Sequence, residues 1–102
     1  IRDRYNIIIR FDMYVKNVAG SSRFPKPNGY SSWLAYWEAQ TGQKAFICSA
    51  DSCFGTDLVG AHVQKAYGSD KSWYIVPLCS SCNQRADTFN VSATLAPVPS
   101  NQ

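Results

Sequence analysis

The rhythm of apolar and polar positions changes several times along this chain, and each change marks an element. Tyr5 to Val15 is rich in strand formers, with Ile7, Ile8 and Ile9 in a row, and predicts an opening β-strand. The only methionine, Met13, leaves a second reading open, in which residues 1–12 precede the natural start. Residues 18–29 are dense in Gly, Ser, Pro and Asn and predict a loop, extended before each proline. Residues 30–42 carry helix punctuation. Ser31 or Ser32 can cap the first free amides, Gly42 can supply the left-handed residue that ends the helix, and Trp33, Leu34 and Trp37 share a face. Those rings are expected in the core. The other use of such a face is a platform on which bases stack.

Further on, Leu58 to Val63 and Ser72 to Leu78 are strand-like runs, joined by Gln64 to Lys71 with the turn signal Gly68-Ser69-Asp70. Together they predict a β-hairpin, with Pro77 ending the second strand's usable amide donors. Cys79 to Asp87 reads as a short helix, and the small, polar segment from Ser92, with Pro97 and Pro99, as a tail extended along the surface. Asn90-Val91-Ser92 matches the glycosylation sequon, which matters only in a secreted protein. The expectation is one small α+β domain in three parts: an N-terminal extension (1–45), a cysteine-bearing core (46–88) and a tail (89–102).

Composition narrows the classes. At 102 residues, 45% hydrophobic and 17% charged, the chain is globular and one domain long. A core this small gains from a metal or a crosslink. Ten Lys and Arg against seven Asp and Glu give +3, a mild basicity compatible with nucleic acid. No apolar run approaches the ~20 residues of a membrane span, so no membrane partner is expected. The single histidine, His62, rules out a metal site built on several histidines.

The four cysteines form two local pairs, Cys48/Cys53 and Cys79/Cys82, with four and two residues inside the pairs and 25 between them. Such pairs converge readily on one tetrahedral zinc, whereas structural disulfides more often tie distant parts of a chain together. Four thiolates close the coordination sphere, so this zinc would be structural and could not itself activate water. Free thiolates on zinc suit a reducing, intracellular compartment. Two disulfides in a small secreted effector remain the other reading.

Two segments carry a resemblance: Gly60-Ala61-His62-Val63, and Tyr74-Ile-Val-Pro-Leu-Cys-Ser-Ser-Cys-Asn83. A cysteine knuckle, a hairpin bearing a histidine, and a helix opening on Pro-Leu-Cys-x-x-Cys-Asn resemble the treble-clef zinc domains. Within them they resemble the HNH, or ββα-metal, nucleases. The match covers residues 46–88. It implies a knuckle, hairpin and helix around the zinc, with His62 as the general base that activates water against a phosphodiester. It further implies a catalytic Mg²⁺ or Mn²⁺ held by Asn83 and by Asp87 four residues on, as colicin-type members hold theirs from residues so spaced on a helix. Two positions differ from the family pattern. Ala61 stands where many members have a metal ligand, and Tyr74 stands where they have the asparagine that orients the base.

Lys65, Lys71 and Arg85 flank this core and could follow a phosphate backbone, of DNA rather than RNA. No small-molecule cofactor is expected. The leading expectation is therefore a metal-dependent endonuclease. The alternative is a non-catalytic zinc module with a decayed site that binds nucleic acid or protein. In that alternative His62 is a packed strand histidine and Asn83 a local cap of the zinc-bound turn.

Overall fold

The computed structural model describes residues 13–20 and 24–99. The possible start before Met13, and most of the strand expected from Tyr5, lie outside them. The described residues form a five-stranded antiparallel sheet with one α-helix against it. The strands are β1 (Met13–Asn17), β2 (Leu58–Lys65), β3 (Trp73–Cys79), β4 (Phe89–Val91) and β5 (Ala96–Pro97), ordered β4-β1-β2-β3-β5. The helix, α1, spans Trp33–Thr41. The α+β class and the hairpin are as expected from the sequence.

The hairpin of β2 and β3 is the spine. Gly60 lies opposite Pro77, His62 opposite Ile75 and Gln64 opposite Trp73. Because side chains alternate across a strand, this register sorts them onto two faces. Ala61, Val63, Val76 and Leu78 join Val15, Phe89, Val91 and the cysteines in one cluster. Ile75 faces the other way, where it packs with Trp33, Tyr36, Trp37 and Ala96 under α1. His62 lies on this second face, against Trp33.

Both helix ends form as the sequence predicts. Ser32 accepts a hydrogen bond from the Ala35 amide, and Gly42 takes a left-handed conformation while its N–H returns to Glu38. The inner face is Trp33, Tyr36 and Trp37, with Tyr36 in the place expected for Leu34. Its polar tips are satisfied: the Tyr36 hydroxyl donates to the Pro97 carbonyl, and Trp37 Nε1 donates to the Thr94 carbonyl at 2.7 Å. The indole of Trp37 is buried, so it is a core anchor and not a stacking platform. Gly60 lets the helix approach this closely. A Cβ there would meet the Trp33 and Leu34 backbone at 2.5 Å.

Three details differ from expectation. First, β3 ends one residue later, at Cys79, and Pro77 within it, which has no N–H to donate, serves as an acceptor: its carbonyl receives the Ser49 amide at 3.1 Å and the Ser49 hydroxyl at 2.6 Å. Second, the helix expected over Cys79 to Asp87 is a single 3₁₀ turn, Cys82–Gln84, and Arg85 is already extended. Asn17, the last residue of β1, explains the stop. Its Nδ2 donates to the carbonyls of Cys82 (3.0 Å) and Arg85 (2.9 Å), tying this turn to the end of a strand. Third, the tail is not simply surface chain. Residues 89–91 pair with β1 and residues 96–97 with β3, and Phe89, Val91 and Ala96 are buried.

Candidate metal centre and adjoining hollow

The knuckle Cys48 to Cys53 is held by short backbone bonds. Cys48 N–H donates to Gly55 O at 2.8 Å and Cys53 N–H to Ala50 O at 3.1 Å, while Ser52 turns through φ 63°. Cys79 ends β3 and Cys82 opens the 3₁₀ turn, so the second pair comes from the opposite side of the cluster. Gly55 is what lets the two sides meet. A Cβ on it would lie 2.7 Å from Cys79 Cβ.

All four sulfurs lie within 4.8 Å of one another, and none is in a disulfide. Cys53 Sγ and Cys79 Sγ are 3.7 Å apart. Zn–S bonds of ~2.3 Å would place the sulfurs of a tetrahedron about 3.8 Å apart. The four cysteines thus form a group that could hold a structural metal ion, and the donor set fits a thiophilic divalent one. The electrostatics agree. Burial pushes the Cys48 thiol up, and burial together with the neighbouring sulfurs pushes Cys82 up to about 12. The backbone around Gly55 draws Cys53 down. Packed sulfurs resist sharing negative charge among themselves, and a bound cation removes that resistance.

On the other face a hollow of about 220 Å³ is lined by Phe24, Trp33, Val59, Gly60, Ala61, His62 and Asn83. The sequence-selected pair His62 and Asn83 is therefore brought to one place. His62 is only 4% exposed. Its ring meets Trp33 at 4.7 Å, Phe24 at 5.8 Å and Trp73 at 6.0 Å, and burial lowers its pKa below the usual value, so it is neutral at pH 7. Asn83 also borders a second hollow of about 520 Å³, lined by Asn17 to Gly20 and Asn83 to Ala86. The two meet at that asparagine.

The remaining selected residues are elsewhere or engaged. With no helix beyond Gln84, Asp87 shares no helical face with Asn83. Its carboxylate is gripped by Arg85 at 2.6 and 2.9 Å, which holds its pKa down. Arg85 also lies over the Phe89 ring, 4.6 Å from its centre. Lys65 pairs with Asp70 at 3.2 Å, and Lys71 is exposed. Tyr74 packs on the cysteine face and donates its hydroxyl to Asp70, so it does not orient His62. Ala61 is buried. Among the described residues no carboxylate lines the His62 hollow, and Asn83 alone does not fit the oxygen-rich shell that Mg²⁺ prefers.

Sequence reasoning missed Asn17, Trp33 as a wall of this hollow, and Phe24. Only Asn17 carried a signal, an amide at the close of a strand. Its partners lie 65 and 68 residues away, which no local pattern reveals. No helix of the described residues is long and apolar enough to cross a membrane. No protein-family model matches the chain, and no curated protein or solved structure matches it either.

Proposed function

We propose that this chain is a zinc-stabilised, HNH-like treble-clef domain that binds nucleic acid at the face carrying His62 and Asn83, without cutting it. One observation carries the reading. The hollow around His62 is walled by aromatic rings and by Ala61, with no described carboxylate to hold a hydrolytic cation, and Asp87 is engaged by Arg85. The net charge of +3 supports a polyanionic partner, and exposed Lys71 is available to it.

A nuclease is the second reading, and a specific feature favours it: a neutral imidazole shares one hollow with Asn83, in the protonation state a general base needs. One experiment separates the two. Zinc-loaded protein is titrated against duplex, branched and single-stranded DNA and RNA, then incubated with each in Mg²⁺ or Mn²⁺. The expected result is binding that weakens steeply with salt and leaves the strands intact. Cleavage that falls roughly 10²–10⁴-fold in His62→Ala, with zinc retained, would establish the nuclease instead.

A further inference from the structure

We infer that the partner is single-stranded nucleic acid, held on the open part of the helix-bearing sheet face by Tyr14 and Tyr67, on whose rings unpaired bases stack. This deepens the binding reading above and rests on it. Val15 is buried in the cysteine-face core, so its neighbours on β1, Tyr14 and Lys16, project to the opposite face, where His62 also lies. On that face α1 packs over β2, β3 and β5. Tyr14 is 52% exposed, and Tyr67, in the connection between β2 and β3, is 70% exposed. Their rings meet edge to face with 6.1 Å between centres. Ring surface is therefore left in solvent on both, where another flat ring can lie against it.

Cations accompany the rings. Gln64 stands opposite both Lys16 on β1 and Trp73 on β3, and its amide donates to the Lys71 carbonyl at 2.8 Å. Lys16 and Lys71 are exposed, and neither forms an ion pair among the described residues. Half-buried Trp73 lies 6.0 Å from the His62 ring. A strand seated on the tyrosines can thus pass Lys16 and Trp73 toward the hollow of His62. On the other side of Tyr14, a hollow of about 240 Å³ holds both Arg85 and Asp51, so that side adds no net positive charge.

The balance of charge and rings selects the single strand. Duplex binders that rely on phosphates make ~6–10 such contacts, and two unpaired lysines supply few of them. Stacking must then carry the affinity, at roughly 5- to 150-fold per base, and only unpaired bases present their faces. The other exposed rings, Phe46 and Phe54, suit this partner less well. They flank the cysteine knuckle, beside exposed Asp51 and Asp57, whose carboxylates repel a polyanion.

The test measures Kd by fluorescence anisotropy for the full zinc-loaded chain. Its probes are a twelve-nucleotide single strand, as DNA and as RNA, an abasic strand of the same length, and the matching duplex. The ordinary single strand should bind at least fivefold more tightly than the abasic strand or the duplex. Tyr14→Ala and Tyr67→Ala should each remove most of that gap, with zinc content and melting temperature unchanged. The corresponding Phe variants keep the ring and should bind like the native chain. Lys16→Gln should lower the slope of log affinity against log salt by about 0.7. Should Tyr14→Ala fail to fold, Tyr67→Ala decides the matter. A gap that survives Tyr67→Ala, or equal binding of all probes, overturns the stacking surface while nucleic-acid binding stands. Failure of every nucleic acid to bind overturns the function proposed above and this inference with it.

Discussion

The two faces of the sheet solve the same problem by different means. On one, Val15, Val63, Val76, Leu78 and Val91 are fully buried, yet they surround four thiols that gain nothing from one another without a cation. On the other, Trp33, Tyr36 and Trp37 bring large rings, and Tyr36 and Trp37 have their polar tips bonded to the chain's own carbonyls. The first core holds a group that could take a metal ion. The second is complete in itself apart from one indole N–H. A chain of 102 residues has little core to spare, so a metal on the cysteine face would add where burial alone is thin.

The largest effect that could break this contrast is metal removal. Structural zinc contributes on the order of 10 kcal/mol or more, comparable to a small domain's whole stability. Chelation, or Cys82→Ser, should abolish cooperative melting of the cysteine face, and elemental analysis of the native protein should give about one zinc per chain. A protein that keeps its melting transition after chelation would make the two faces equivalent. Next in size is Trp37→Ala, which empties the self-sufficient core and should cost about 3–5 kcal/mol in chemical denaturation while zinc stays bound. Loss of zinc in that variant would show the two cores to be one cooperative unit.

The smallest effect sharpens the contrast through pH. The folded pKa of His62 lies below its unfolded value of ~6.5 because burial disfavours the charged ring. Below pH ~6.5 the unfolded chain therefore binds more protons than the folded one. Stability falls as pH drops through that window, by at most about 1.4 kcal/mol per unit, and is fully present above it. Were a metal bound to the cysteines, proton competition for its thiolate ligands would weaken the other face at acidic pH too. The difference between native protein and His62→Gln in pH-dependent denaturation isolates the helix face, and the variant should lose this part of the slope.

Much of this was legible because it is local. Ser32 and Gly42 mark their helix by rules that act within four residues, and the cysteine pairs declare their convergence by spacing alone. The hairpin also reads directly, since β2 and β3 are short runs of strand formers and the turn between them is signalled. What failed was non-local. Cys79 to Asp87 looks helical in isolation, but Asn17 takes two of its carbonyls from across the sheet. Strands β4 and β5, of three and two residues, are too short to show a period. They form because β1 and β3 offer unpaired edges. For the candidate site, His62 and Asn83 were legible from the motif they resemble. The aromatic wall was not, because Phe24 and Trp33 reach the hollow from a loop and a helix with no shared pattern.

Those two short strands have a consequence for how copies of this chain behave toward each other. The segment from Phe89 to Pro97 supplies both outer strands, so a single stretch of nine residues seals the sheet on both sides. An open strand edge is a template for another molecule's backbone, and β1 and β3 would be such templates until this late segment arrives. Once in place it is a poor template itself: three residues on one margin, and two with a proline on the other. Among the described residues the sheet edges are thus guarded by strands that follow β1 and β3 in sequence, and those edges stay open until that segment has been made.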